Sequence, residues 1–242
     1  MSFAKGWHPV ALSTSVEPGS SAGTHIDGRE YVVWRDNSGV AHVWEDRCPH
    51  RGMKLSFGFV RGDHIACLYH GWQYDTAGRC RYVPAHPDLE VPATITVPVF
   101  AAAEACGMIW TCAEPEAVRP AAPADAGEVI PVRSLYVDND ADALLRAVRA
   151  NLPSPLTGDG PSAIAPTGDN LWRITTGADT LLLGLQSIAD NRAALHVVIA
   201  GSASVYSGAG QTHYLGWTAD LRYALKHEAE SAGAAARAEA VR

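Results

Sequence analysis

The chain has 242 residues, of which 47% are hydrophobic and 19% charged, and its formal net charge is −7. This composition is ordinary for a globular protein, and the negative balance argues against binding to nucleic acid. No apolar stretch approaches the length of a membrane span, and the first residues lack the apolar run of a signal peptide, so the sequence predicts neither. Five cysteines do not indicate a disulfide framework, so we expect a reduced, cytoplasmic protein.

Residues 1–114 predict a β-rich domain. Residues 30–35 and 40–45 are rich in β-branched and aromatic side chains, and they flank the turn-forming stretch Asp36-Asn37-Ser38-Gly39. Many short strands separated by Gly and Pro indicate antiparallel sheets in a sandwich or barrel-like domain. The further strands that we predict cover residues 64–68, 73–74, 79–83, 95–100 and 108–112.

Residues 115–131 are rich in proline and alanine, and we interpret them as a linker. Residues 132–242 then predict a mixed α+β domain. Asp138-Asn139-Asp140 can cap a helix whose apolar face carries Leu144, Leu145, Val148 and Leu152. Strands are predicted at residues 171–176, 180–188 and 194–200, and a final helix carries Trp217, Leu221 and Leu225.

Two short segments carry the strongest chemical signal: Cys48-Pro49-His50-Arg51-Gly52 and Cys67-Leu68-Tyr69-His70-Gly71-Trp72. They read C-x-H and C-x-x-H. Two thiolates and two imidazoles on paired loops fit a Rieske [2Fe–2S] cluster, with both cysteines on one iron and both histidines on the other. A structural zinc ion is the alternative, but zinc sites usually pair like ligands two to four residues apart, so the alternating order favours the cluster. The remaining cysteines are predicted to be packing residues: Cys80, Cys106 and Cys112.

The sequences around these loops resemble those of the Rieske-type non-haem iron oxygenases, the ring hydroxylases and demethylases. Respiratory Rieske proteins carry an extra cysteine in each loop, where this chain has Met53 and Leu68. The resemblance implies one [2Fe–2S] cluster per chain, supplied with electrons by a flavin- or ferredoxin-type reductase. It also implies that His50 and His70 pass electrons to a mononuclear iron in an adjacent subunit, within a homo- or hetero-oligomer that is often a trimer.

The second half departs from this family. Its members bind mononuclear Fe(II) through two histidines and one carboxylate, with a helix that reads Asn-x-x-Asp-x-x-His-x-x-x-x-His. The corresponding residues 151–160 keep Asn151, lack the aspartate and both histidines, and contain Pro153 and Pro155, which disfavour a helix. The resemblance therefore implies a shortened helix-grip-like domain, and residues 151–160 predict that mononuclear Fe(II) is absent. The sequence identifies no catalytic residue. The residues that remain candidates for a rearranged iron site are His196, His213, Asp220, His227 and Glu228.

Three functions follow from these observations. The first is an electron-transfer component that passes single electrons from a reductase toward a catalytic oxygenase subunit. The second is a self-sufficient terminal oxygenase, a monooxygenase, dioxygenase or demethylase, with a rearranged iron site. The third is a non-enzymatic, redox-sensing protein that binds an apolar ligand in its second domain.

Overall fold

A computed structural model of the chain describes residues 5–119 and 121–240, and it describes side chains as far as residue 227. The chain divides into two compact units, Met1–Asp125 and Ala126–Arg242. The division lies inside the segment 115–131, and regular structure resumes there with a strand that begins at Val129. No helix in the described ranges is long and apolar enough to cross a bilayer.

The first unit is built from antiparallel strands. Six of them form one sheet in the order β1-β10-β9-β4-β3-β2, and four form a second sheet in the order β5-β6-β7-β8. The β-rich antiparallel domain predicted from the sequence is confirmed. The strands are β1 (His8–Leu12), β2 (Ser20–Ile26), β3 (Arg29–Arg35), β4 (Ala41–Glu45), β5 (Phe59–Arg61), β6 (His64–Ala66), β7 (Gln73–Asp75), β8 (Cys80–Tyr82), β9 (Val99–Ala105) and β10 (Met108–Cys112).

The predicted β3–β4 hairpin forms around a buried carboxylate. Asp36 Oδ1 accepts hydrogen bonds from the Ser38 hydroxyl at 2.6 Å and the Val40 amide at 3.0 Å, and Oδ2 lies 3.0 Å from His42 Nε2. Burial alone would raise the pKa of Asp36, but these hydrogen bonds outweigh it and lower the pKa to about 2. Asp36 thus stays charged and stabilises the turn.

The prediction of a strand at residues 95–100 is wrong in its boundaries, because β9 spans Val99–Ala105. The preceding residues are extended but pair elsewhere: the Cys80 amide donates to the Ile95 carbonyl at 2.9 Å, and the Val97 amide donates to Gly78 at 2.8 Å. Pro98 separates the two pairings, since proline lacks the amide that a continuous ladder needs. The strand itself is rich in alanine, which has low β-propensity, so its sequence carried little strand signal.

The two sheets of this unit share a core. Trp34 and Trp44 from the larger sheet pack in one cluster with Ile65 and Tyr74 from the smaller sheet, and all four are fully buried. Leu55, from a short 3-10 turn at Leu55–Phe57 between the sheets, completes this cluster. Burying these large side chains supplies the main stabilisation of the unit.

The second unit is one antiparallel sheet with helices against one face, which confirms the predicted α+β class. Its strands lie in the order β11-β15-β14-β13-β12. Tyr214, Trp217, Leu221 and Leu225 of the last helix pack on the sheet's apolar side chains. The elements are β11 (Val129–Val137), α1 (Ala141–Ala150), β12 (Ser162–Gly168), β13 (Leu171–Thr176), β14 (Asp179–Ala189), β15 (Arg192–Ala200), α2 (Ala203–Tyr206) and α3 (Ala209–Ala240).

Helix α1 begins where the sequence predicts, with Asp140 Oδ1 accepting a hydrogen bond from the Ala143 amide at 2.6 Å. Its predicted end is wrong, because the helix stops at Ala150 and Leu152 follows it in a loop. Pro153 disfavours helical backbone at the residue before it, which explains the early end. Leu152 still packs against the same apolar cluster as Leu144 and Val148.

A second buried carboxylate ties the loops of this unit together. Asp179, 1% exposed at the start of β14, accepts hydrogen bonds from the amides of Leu156 and Thr157 and from the hydroxyls of Thr157, Tyr206 and Tyr214. Burial alone would raise the pKa of Asp179, but the hydrogen bonds from Thr157, Tyr214 and the Leu156 amide outweigh it and lower the pKa to about 2. The carboxylate therefore joins the loop after α1 to helices α2 and α3.

Both edges of this sheet are interrupted. On β11, Pro131 has no amide proton, and its carbonyl accepts a hydrogen bond from Gln211 Nε2 of α3 at 2.8 Å. Further along β11, the Tyr136 carbonyl accepts from Arg222 Nη2 at 3.3 Å. The opposite edge strand β12 contains Pro166, next to a register shift in its pairing with β13.

Candidate metal centre

The first cysteine–histidine loop follows β4 and is closed by its own backbone. The Cys48 amide donates to the Met53 carbonyl at 2.8 Å, and the Gly52 amide donates to the Cys48 carbonyl at 2.8 Å. Gly52 has a φ of +74°, a conformation that favours glycine. These contacts turn the chain sharply enough to place Cys48 inside the domain, where it is 2% exposed.

The second loop joins β6 to β7 and repeats the same bonds. The Cys67 amide donates to the Trp72 carbonyl at 2.9 Å, and the Gly71 amide donates to the Cys67 carbonyl at 2.9 Å. Gly71 has a φ of +71°. Each loop therefore bonds its cysteine to the fourth and fifth residues that follow, although the histidine comes two residues after Cys48 and three after Cys67. The two loops therefore have the same pattern of backbone hydrogen bonds, although their spacing is C-x-H in one and C-x-x-H in the other.

The four candidate ligands separate by burial. Cys48 and Cys67 are 2% and 3% exposed, His50 is half-buried and His70 is exposed. The two imidazole rings lie side by side, with their centroids 4.7 Å apart. The thiols thus form an inner pair and the imidazoles an outer pair.

Aromatic side chains surround the outer pair. The ring of Trp72 stacks on His50 at a centroid distance of 4.3 Å with 4° between the planes, and Tyr69 lies 3.9 Å from His70. Trp72 is half-buried, whereas Tyr69 is 56% exposed. Trp72 therefore shields one histidine, while Tyr69 stays at the surface and is not a core residue.

The inner pair has one polar neighbour that sequence reasoning missed. The Tyr74 hydroxyl lies 3.1 Å from Cys48 Sγ. Burial and the contact with Cys48 raise the pKa of Tyr74 far above its usual range, so the phenol keeps its proton and can donate it to the sulfur. Burial also raises the pKa of the Cys67 thiol. Tyr74 lies 26 residues from Cys48 in sequence, and only the β6–β7 hairpin brings the two together.

The candidates for a second iron site are dispersed. His196 is fully buried in β15 between the Ser134 hydroxyl at 2.7 Å and Gln186 Oε1 at 2.9 Å. His227 of α3 packs on Tyr223 with ring centroids 4.1 Å apart. The side chain of Glu228 lies outside the described part of the chain.

His213 and Asp220 of helix α3 are the exception, because both line one surface cleft of about 530 Å3 together with Asn151. His213 Nε2 donates to the Ser154 carbonyl at 2.9 Å, and the Asn151 amide Nδ2 donates to the Ala147 carbonyl at 2.9 Å. Among the residues with described side chains, no three or more His, Cys, Asp or Glu groups converge as ligands of a single metal ion.

Comparison with known proteins identifies the first unit. Residues 6–100 match the sequence model of the Rieske [2Fe–2S] domain. The first unit is a Rieske domain. Such a domain carries a [2Fe–2S] cluster, which makes the chain an iron–sulfur protein of the oxidoreductase type.

Relatives among curated proteins include an oxidoreductase and a demethylase. The chain is 34% identical over 152 residues to the oxidoreductase NdmD of Pseudomonas putida, a match that covers 60% of this chain and 26% of NdmD. It is 39% identical over 118 residues to the methylxanthine N1-demethylase NdmA of the same species, covering 43% of this chain and 31% of NdmA. The matched segments thus span about a quarter to a third of these relatives.

Solved structures match more of the chain. An NdmA QL mutant from Pseudomonas putida CBB5 with theobromine superposes with a TM-score of 0.69 at 21% identity, covering 91% of this chain and 79% of that one. Dicamba monooxygenase bound to dicamba gives a TM-score of 0.70 at 18% identity, covering 98% and 90%. At these identities the likeness concerns the fold, and it extends through the second unit. The predicted resemblance to Rieske-type oxygenases is confirmed.

Proposed function

We propose that the chain transfers single electrons through a [2Fe–2S] cluster held by Cys48 and Cys67 on one iron and by His50 and His70 on the other. The observation that carries this proposal is the separation of the four side chains into a buried thiol pair and an outer imidazole pair on two loops of equal backbone geometry. When bound, the cluster accepts and releases one electron at a time.

The donor set suits this cluster better than a zinc ion. A tetrahedral zinc site requires all four donor atoms to lie about 2.0–2.3 Å from a single ion. Here the thiols lie inside the domain while the imidazole rings lie together at its surface. Two irons at different depths accommodate both pairs, since each iron takes two protein ligands of one kind.

The protein's own residues would set the direction of electron flow. Tyr74 donates its hydroxyl proton toward Cys48 Sγ and stabilises negative charge on the buried side. His50 and His70 each retain one ring N–H when the other nitrogen binds metal, and that N–H can bond to an acceptor on a partner. Because His70 is exposed and His50 half-buried, electrons would leave through the imidazoles.

The partners follow from the relatives. The relatives include an oxidoreductase and a demethylase, and we propose that this chain works in an oxygenase system of that kind. Electrons would come from a flavin- or ferredoxin-type reductase and pass to a non-haem iron centre on a catalytic oxygenase subunit, in a homo- or hetero-oligomer such as a trimer. We place this system in the cytoplasm, a reducing compartment that suits a chain whose five cysteines form no disulfide.

Iron and sulfide quantitation with EPR tests the proposal. We expect about two irons and two sulfides per purified chain and, after reduction, the spectrum of a histidine-ligated [2Fe–2S] cluster. A protein that binds a single zinc ion tightly and no sulfide would contradict the cluster assignment. A third iron per chain, together with substrate-dependent O2 uptake, would contradict a role limited to electron transfer.

One observation favours a second function, a terminal oxygenase with a rearranged iron site. His213 and Asp220, an imidazole and a carboxylate of the types that hold non-haem iron, line the same cleft. This alternative predicts that His213→Ala abolishes turnover of a small aromatic or N-methyl substrate and leaves the cluster spectrum intact. Unchanged turnover in that variant would rule out His213 as an iron ligand, and absence of turnover in the isolated wild-type chain would leave electron transfer as the function.

A further inference from the structure

The two metal loops are joined through the short 3-10 turn at Leu55–Phe57, which follows the first loop directly. Leu55 is fully buried in the core cluster that also contains Cys48 and Cys67. Any displacement of this turn would therefore change the distance between the loops.

The middle residue of the turn, Ser56, is hydrogen-bonded to the residues that lead into the first loop. Asp46, two residues before Cys48, is 3% exposed. Its Oδ1 accepts the Ser56 amide at 2.7 Å, and its Oδ2 accepts the Ser56 hydroxyl at 2.6 Å. Hydrogen bonds to a charged acceptor are among the strongest in proteins, so this contact fixes the turn against the residues that lead into the loop.

The residue directly after the turn, Gly58, packs against the residues that lead into the second loop. A Cβ atom on Gly58 would lie 2.4 Å from the Ala66 carbonyl oxygen, so only glycine permits the observed approach. Ala66 immediately precedes Cys67. The turn is thus hydrogen-bonded to Asp46, two residues before Cys48. Its following residue, Gly58, is in van der Waals contact with Ala66, directly before Cys67.

We propose that Asp46, acting through Ser56, is a positioning residue that sets the separation of Cys48 and Cys67. This inference rests on the proposed function, because the separation matters only if both thiols bind one iron. The hydrogen bonds of the Asp46 carboxylate described above go to Ser56 and not to a cysteine. They hold the Leu55–Phe57 turn, which separates the two loops that carry the cysteines. If this turn were more mobile, each loop would keep its own backbone hydrogen bonds, but the distance between the loops would be less fixed. The two loops together would then bind the cluster less tightly.

The test compares three variants of the cluster-loaded full chain with the wild type. Ser56→Ala removes one hydroxyl from the Asp46 contact, and Asp46→Asn removes the charge with little change of shape. Asp36→Asn is the matched control, because Asp36 is also a buried carboxylate that accepts an amide and a serine hydroxyl, but at the opposite end of the β3–β4 hairpin. The measurements are the rate of cluster bleaching in excess chelator, the EPR line shape and the thermal midpoint.

We expect Ser56→Ala to lose its cluster about tenfold faster than the wild type, the factor that one charge-assisted hydrogen bond can supply. Asp46→Asn should lose it at least as fast, with broadened EPR features in both variants. Asp36→Asn should lower the thermal midpoint and bleach at the wild-type rate. If Asp46→Asn does not fold, Ser56→Ala decides the question.

Either of two outcomes would overturn this inference without affecting the proposed function. One is that Ser56→Ala loses its cluster at the wild-type rate, and the other is that the Asp36→Asn control loses it as fast as the Asp46 and Ser56 variants. The second outcome would mean that cluster loss follows general destabilisation rather than loop spacing. Failure of the wild type itself to hold a [2Fe–2S] cluster would instead overturn the proposed function. The wild-type spectrum therefore separates the two failures.

Discussion

The two cysteine–histidine loops of the first unit and the cleft of the second, between α3 and the loop after α1, both present side chains that can bind metals. The two regions constrain these side chains differently. In the loops, the backbone bonds around Cys48 and Cys67 are duplicated, and the ligand pairs are sorted by depth. In the cleft, His213 already donates to a backbone carbonyl and Asp220 is exposed to solvent.

The two units also differ in the buried polar groups that lie at their organising points. The first unit places thiols and a phenol at the base of the metal loops. The second unit places its most heavily bonded carboxylate, Asp179, at the junction of a loop and two helices. The chemistry of the first unit thus depends on local loop geometry, and the folding of the second depends on a structural carboxylate.

The largest effect should come from the inner thiol pair. Replacing Cys67 with serine would remove one of the two thiolates that we propose for one iron, and we expect complete loss of the visible absorbance and EPR signal of the cluster. Cys112→Ser is the control, because Cys112 is equally buried but bonds to Glu114. A Cys67→Ser protein that retained a full complement of iron and sulfide would contradict the proposal that Cys67 binds the cluster.

A smaller effect is expected from the buried carboxylate of the second unit. Asp179→Ala leaves five donors without their acceptor, and we expect a loss of roughly 3–5 kcal/mol in the free energy of unfolding. Chemical denaturation monitored by the tryptophans would measure it, with the exposed Asp169→Ala as a control. A change below 1 kcal/mol, on the scale of about one ordinary hydrogen bond, would show that Asp179 does not organise this unit.

Acid should affect the two units alike, because each contains one aspartate whose pKa is lowered to about 2, Asp36 and Asp179. A lowered pKa stabilises the fold fully above the ordinary aspartate value of about 3.8, and this stability is lost as the pH falls through 2. We expect each carboxylate to contribute about 2 kcal/mol above pH 4. Unfolding experiments between pH 5 and pH 2 should show a flatter pH dependence in Asp36→Asn and Asp179→Asn; an unchanged slope in either would contradict the assignment.

The smallest effect concerns Tyr74. Removing its hydroxyl in Tyr74→Phe takes one hydrogen bond from the sulfur of Cys48, which destabilises the reduced, more negative cluster. A bond of about 1 kcal/mol corresponds to a fall of about 40 mV in the one-electron reduction potential. Protein-film voltammetry would measure it, and an equal potential in both proteins would show that Tyr74 only fills space.

Sequence reasoning found the loops because their chemistry is contiguous: each cysteine, histidine and glycine lies within five residues of its partners. It found the β3–β4 hairpin for the same reason. It missed the contacts of Tyr74 with Cys48 and of Asp179 with Tyr206 and Tyr214, since these join residues 26 to 35 positions apart. It also misplaced β9, whose alanines have no strong preference for a strand and pair only because β4 and β10 flank them.

The interrupted edges of the second unit's sheet have a consequence for assembly. An open edge strand is a template for aggregation or for strand addition by another chain. Here Pro131 and Pro166 each lack an amide donor, and Gln211 and Arg222 occupy carbonyls of β11 that an incoming strand would use. We therefore expect this sheet to resist strand addition at both edges, so that any partner of the second unit binds through side-chain surfaces rather than by extending the sheet.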